Sequence, residues 1–93
     1  MILEIVSPEA TLFSAEVTSV TVPGVDGSFQ ILNNHAPIVS LLEKGLIKIT
    51  ASNFKFGKEE AKFFTKLNDE NYTLAISSGT IEMKDNKVII LAD

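Results

Sequence analysis

Short stretches of alternating apolar and polar residues follow one another along most of the chain, and a turn signal stops each of them. Alternation with period two marks a strand that keeps one face in a core. Ile2–Val6 is a β-branched run that stops at Ser7-Pro8, where proline removes a backbone donor. Thr11-Leu12-Phe13 adds a brief extended piece. Residues 16–22 read as a second strand with Val20 and Val22 in phase and Val17 out of it, so a bulge or twist is expected between Val17 and Val20. Pro23-Gly24 and Asp26-Gly27 predict tight turns. Residues 28–32 predict a strand, residues 33–37 a loop, and Ile38–Leu42 a strand apolar enough to be buried. A turn at Glu43-Lys44-Gly45 follows, with Gly45 expected to be left-handed.

The second half is more regular at its ends than in its middle. Ile47, Ile49 and Ala51 fall on one side of a strand, with Lys48 and Thr50 on the other. Residues 52–71 have no sustained period. Within them, residues 57–64 fit one or two helical turns or a polar lead-in to an extended Phe63-Phe64, and residues 68–71 form a turn. Tyr72, Leu74 and Ile76 share a face until Gly79 breaks the strand. Ile81 and Met83 alternate with Glu82 and Lys84, and Asp85-Asn86 reads as a hairpin turn into residues 87–91. The pattern predicts an all-β fold: about eight to ten short strands in an antiparallel sandwich or barrel, with little helix. No linker, repeat or low-complexity tract interrupts residues 1–93, which are expected to form one domain.

Composition narrows the function classes. All 8 basic residues are lysine, against 12 acidic residues, for a net charge of −4. Nucleic-acid binding calls for a clustered positive face and is not expected. The absence of cysteine removes disulfides and thiolate metal sites. No signal-peptide pattern opens the chain, and no apolar run approaches the ~18 residues of a membrane span, so a soluble, intracellular chain is expected, compatible with a peripheral place on a membrane complex.

Catalytic chemistry finds little support. His35 is the only imidazole, and no Gly-x-Ser-x-Gly elbow surrounds a serine. A loop histidine whose ring bonds a backbone carbonyl is the simpler reading of His35. Asp26, Asp69 and Asp85 are isolated turn acids rather than a convergent metal-ligand set. No phosphate-binding glycine loop is present. Glu59-Glu60 stand beside lysines and read as a solvated face. The remaining candidate is surface: Val25, Phe29, Ala36 and Pro37 sit among turn formers. They either fold back onto the core or present a stiff edge to another protein.

One series of motifs is more specific than any of its parts. Glu4-Ile5-Val6-Ser7-Pro8-Glu9, Leu12-Phe13-Ser14-Ala15-Glu16-Val17, Val22-Pro23-Gly24-x-Asp26-Gly27, Ile31-Leu32-x-Asn34-His35-Ala36-Pro37 and Gly45-x-Ile47-x-Ile49 occur in this order. Ser78-Gly79-x-Ile81-Glu82-Met83 and Val88-x-Ile90-Leu91-Ala92-Asp93 complete it. The series resembles the first domain of the epsilon subunit of the bacterial rotary ATP synthase, with residues 52–71 the weakest match. The resemblance implies a flattened antiparallel β-sandwich in the central stalk, with no catalytic residue, metal or cofactor of its own. It further implies contact with the gamma subunit and with the membrane rotor ring of c subunits. Such a protein couples ion flow to ATP synthesis at the cytoplasmic face of the cell inner membrane, held there only through the complex.

By the same resemblance, Asp26, Gly27, Ser28 and Phe29 face the ring, and Ser7, His35, Ala36, Pro37, Ile38 and Ser40 face gamma. Pro23, Gly24, Gly27 and Pro37 would hold the two contacts at a fixed separation. Gln30 stands where glycine is usual, Asn33 where proline is frequent, and Ser28 where an acid sometimes stands. Residues 52–71 look longer than is typical. The family usually continues into a helical hairpin that can restrain ATP hydrolysis and in some members binds ATP; if Asp93 is the natural end, that hairpin is expected to be absent, and if the sequence is a piece of a longer chain, nothing follows about it. A free-standing module binding a small ligand or carbohydrate through residues 23–38 is the alternative, and it would need a concave pocket lined by aromatic side chains.

Overall fold

The computed structural model describes residues 1–52 and 62–93. Of the helical turns or lead-in expected at residues 57–64, residues 57–61 lie outside the described residues, as do Lys55, Lys58, Glu59 and Glu60.

The described residues form ten strands and no helix. They are β1 (Ile2–Val6), β2 (Thr11–Glu16), β3 (Ser19–Gly24), β4 (Gly27–Leu32), β5 (Ile38–Leu42), β6 (Gly45–Thr50), β7 (Phe64–Lys66), β8 (Asn71–Ile76), β9 (Gly79–Lys84) and β10 (Lys87–Ala92). They join in one sheet of order β2-β1-β10-β9-β5-β3-β6-β8-β7, with β4 paired to β3 off this path. The sheet curls into two facing halves, β2-β1-β10-β9-β5 and β4-β3-β6-β8-β7. Phe13 on β2 and Phe64 on β7 stand at opposite ends of the strand order, yet their ring centroids are 6.0 Å apart. This is the two-layer solution to burying one face of every strand. All pairings are antiparallel except β1 with β10.

The core is a single cluster drawn from both halves. Leu3, Ile5, Val88 and Ile90 from one meet Val20, Ile31, Ile47 and Ile49 from the other. The predicted inward faces of β6, β8 and β9 hold: Ile47, Ile49, Ala51, Tyr72, Leu74, Ile76, Ile81 and Met83 are all buried. The predicted Asp85-Asn86 turn also holds. Both residues have positive φ, 53° and 60°, which is the backbone of the two-residue hairpin turn that matches strand twist.

Four local readings are corrected. The strand expected at residues 16–22 is two strands, since β2 ends at Glu16 and β3 begins at Ser19. Val17 lies in the connection, with its N–H donating to Met1 O at 2.8 Å. Its side chain is therefore free of the phase of β3 and is still buried. Pro23-Gly24 is not a turn but the end of β3, paired with Ser28 and Gly27. The turn is Val25-Asp26, and Gly27 takes the positive φ of 120°. Gly45 is not left-handed; it opens β6 opposite Ile76. Gly79 does not end a strand but starts β9, where a Cβ would collide with Leu91 O. At Gly45 and Gly79, glycine serves space rather than unusual dihedrals.

Candidate functional site

The residues singled out by sequence fall at two places along β5. Val25, Asp26, Gly27 and Ser28 are exposed at the tip of the β3–β4 hairpin. Phe29 is different: it is half-buried and packs against the core cluster. It fills the space left by Gly24, where a Cβ would sit 2.7 Å from Phe29 Cε1. The exposed tip is thus Val25 to Ser28, and Phe29 anchors it from below.

His35, Ala36 and Pro37 are exposed in the loop between β4 and β5. The loop is braced rather than loose. His35 N–H donates to Leu32 O at 3.2 Å, and Asn34, at φ 63°, donates its N–H to Asn86 Oδ1 at 2.8 Å. His35 Nδ1 lies 2.7 Å from Ala36 O, the arrangement of a ring N–H donating to a backbone carbonyl. Ile38 and Ser40 are half-buried on β5, and the Ser40 hydroxyl donates to Leu41 O at 3.3 Å. Neither His35 nor Ser40 has a geometry for nucleophilic chemistry. Among the described residues, no three His, Asp or Glu side chains converge as metal ligands.

Ser7 is not adjacent to the 35–40 segment. It closes the turn after β1, with Ser7 N–H donating to Ala10 O at 2.8 Å and Ala10 N–H donating to Ser7 Oγ at 3.2 Å. Strands β10 and β9 lie between β1 and β5, so at ~4.8 Å per strand the two are about 14 Å apart.

What fills that interval is an outward face that was not predicted. Register places Leu41, Thr80, Leu91 and Val6 in one row across β5, β9, β10 and β1. The next row is Val39, Glu82, Ile89 and Glu4. Val39 is 75% exposed, Leu41 61% and Leu91 53%, and a shallow hollow runs between Val39, Thr80, Glu82, Ile89 and Leu91. The outer face of the other half is mixed: Thr21, Gln30, Lys48 and Thr73 stand in one row across its strands, with Leu32 and Leu46 exposed on β4 and β6 to either side of that row. The expectation that residues 38–42 form a buried strand is therefore corrected: Ile38, Ser40 and Leu42 turn inward, and Val39 and Leu41 are left exposed. The available signal was the apolar run at residues 88–92 and the nearly apolar one at residues 38–42, broken only by Ser40, which strict alternation does not require.

Among the described residues, one hollow beside the 33–37 loop is lined by Glu16, Val17, Thr18, Asn33 and Ser52, and another by Pro37, Ile38, Val39, Glu82, Met83 and Lys84. No described hollow there is lined by aromatic rings, so the requirement of a ligand- or carbohydrate-binding module is not met among the described residues.

Comparison with known proteins bears on what such a surface serves. The family model for the β-sandwich domain of the ATP synthase delta/epsilon chain matches residues 1–61. The ATP synthase epsilon chain of Chlorobium limicola is 37% identical over 91 residues, covering 98% of this chain and 86% of that one. That of Dehalococcoides mccartyi strain BAV1 is 34% identical over the same share of this chain, which spans 54% of it. This chain therefore spans most of the first relative and about half of the second. Among solved structures, a chain of the Tetrahymena thermophila mitochondrial ATP synthase central stalk and c-ring superposes with a TM-score of 0.69 at 17% identity, over 99% of this chain and 62% of that one. At that identity the likeness is one of fold.

Proposed function

Since the chain belongs to the ATP synthase epsilon-chain family, through that family's β-sandwich domain, we propose that it is a non-catalytic subunit of the central stalk that joins gamma to the c-subunit rotor ring. In this reading it is held peripherally at the cytoplasmic face of the inner membrane by the complex alone, and it helps pass torque between ion flow and ATP synthesis.

One observation carries the gamma assignment: the apolar outer face of β5, β9, β10 and β1. Ser7 borders it at one side and the 35–40 segment at the other. A partner covering Val39, Leu41, Ile89 and Leu91 would touch both. Large exposed apolar side chains in adjacent rows on one side of a sheet suit a protein partner. Asp26, Gly27 and Ser28, with Phe29 beneath them, make a narrow polar tip at the far end of β5 from His35. Such a tip suits the polar loops of the ring.

The test is binding of purified gamma to the chain, and to the variants Val39→Asp and Leu91→Asp. Buried in an apolar interface, either new carboxylate should weaken binding by about tenfold or more, a loss of at least ~1.4 kcal/mol. Both positions are exposed in the free chain, so thermal unfolding should stay within a few degrees of the parent. Failure of the parent chain to bind gamma would overturn the proposal. Undiminished binding by both variants would overturn the choice of face.

A further inference from the structure

Three segments meet at one corner of the fold: the end of β3, the end of β5 and the start of β6. Gly24 pairs with Leu42. Val25 N–H donates to Leu41 O at 3.2 Å, and Glu43 N–H donates to Pro23 O at 2.8 Å. In the strand order this is the step at which one half of the sheet passes into the other.

The crossing is close because side chains are missing or shaped for it. A Cβ on Gly45 would lie 2.8 Å from Pro23 Cβ and 3.2 Å from its Cγ. One on Gly24 would lie 2.7 Å from the Phe29 ring and 2.8 Å from Gly27 O. Pro23 is tolerated inside a sheet for a local reason. In an antiparallel strand the N–H and C=O of one residue point the same way. The Pro23 carbonyl is turned to Glu43 at the corner, so the donor it lacks is missing from the seam and not from the β3–β4 ladder.

We infer that this corner is the mechanical link between the two contact regions, with Gly45 as its positioning residue. This rests on the reading that the 25–28 tip meets the ring and β5 meets gamma. The covalent route from the tip to β5 runs through all of β4 and the 33–37 loop. The route across the corner is short: Val25 N–H bonds Leu41 O directly, with Glu43 N–H to Pro23 O beside it, and Leu41 lies on the gamma-facing surface. Load on the tip therefore reaches the gamma-facing strand directly. A side chain at Gly45 pushes Pro23 away and re-aims the tip while leaving the outer face of β5, β9 and β10 intact.

The test is amide hydrogen exchange of the chain with and without purified gamma, followed by the Gly45→Ala variant. In the parent, gamma should slow exchange of the Val25 and Glu43 amides by at least tenfold, although neither lies on the apolar face. Gly45→Ala should bind gamma within about threefold of the parent affinity, a change of ~0.6 kcal/mol. It should lose the protection at Val25, and the assembled enzyme carrying it should pump fewer ions per ATP hydrolysed. Normal gamma binding with no change at Val25 in the parent would overturn the inference alone. So would full protection and full coupling in Gly45→Ala. If Gly45→Ala does not fold, the parent exchange data decide. Absence of gamma binding to the parent would overturn the proposed function and this inference with it.

Discussion

Replacing Ile49 with alanine removes three carbons from the middle of β6. Ile49 has no exposed surface and stands between Val20 on β3 and Tyr72 on β8. At about 0.8 kcal/mol per methylene the transfer loss alone is roughly 2.4 kcal/mol. Neighbours on both strands are held by their own ladders, so the site cannot fully collapse, and the residual cavity raises the cost to about 3–4 kcal/mol. For a domain of this size each kcal/mol lowers the melting temperature by about 4–8 °C, so a drop of roughly 15–25 °C is expected. Urea unfolding followed by circular dichroism gives the free energy directly, provided the slope against denaturant is unchanged. Leu46→Ala on the same strand is the control. Leu46 is 58% exposed and its truncation should cost no more than about 0.5 kcal/mol. A loss below about 1 kcal/mol at Ile49, or equal losses at both positions, would refute the assignment of the inward face.

Two further predictions concern the turns. Gly27→Ala should destabilise by about 1–3 kcal/mol through backbone strain alone, because φ is 120° while no atom lies within 4 Å of the added carbon; chemical synthesis with D-alanine at this position, for which that φ is ordinary, should restore parent stability in the same melt. Asn86→Ala should cost about 1–3 kcal/mol, since it removes an acceptor from Asn34 N–H and places alanine at φ 60°; amide exchange should show faster opening of the 33–37 loop, and equal protection there would refute the brace.

Several features were legible because their causes are local. Alternation put Ile47, Ile49, Leu74, Ile76, Ile81 and Met83 on inward faces, and all are buried. Asp85-Asn86 predicted its turn because short polar side chains tolerate positive φ. His35 was read as a loop residue bonding a carbonyl, and it does. The motif series pointed to the family that the comparisons show.

Other features depend on neighbours distant in sequence. Pro23-Gly24 and Gly45 read as turns because glycine and proline usually mark them. Here they lie in strands, where the smallness of the glycines is needed and the missing donor of Pro23 is tolerated at a corner built from three segments. The parallel pairing of β1 with β10 joins the two ends of the sequence, and no local pattern encodes it. The candidate gamma face was hidden for a related reason. Val39 and Leu41 are as apolar as Ile38 and Leu42, so the sequence by itself determined that β5 is a strand with two apolar sides. Only the tertiary structure decided which side the core takes and which is left bare, because burial is a property of what packs above a strand, and the other half of the sheet covers just one side.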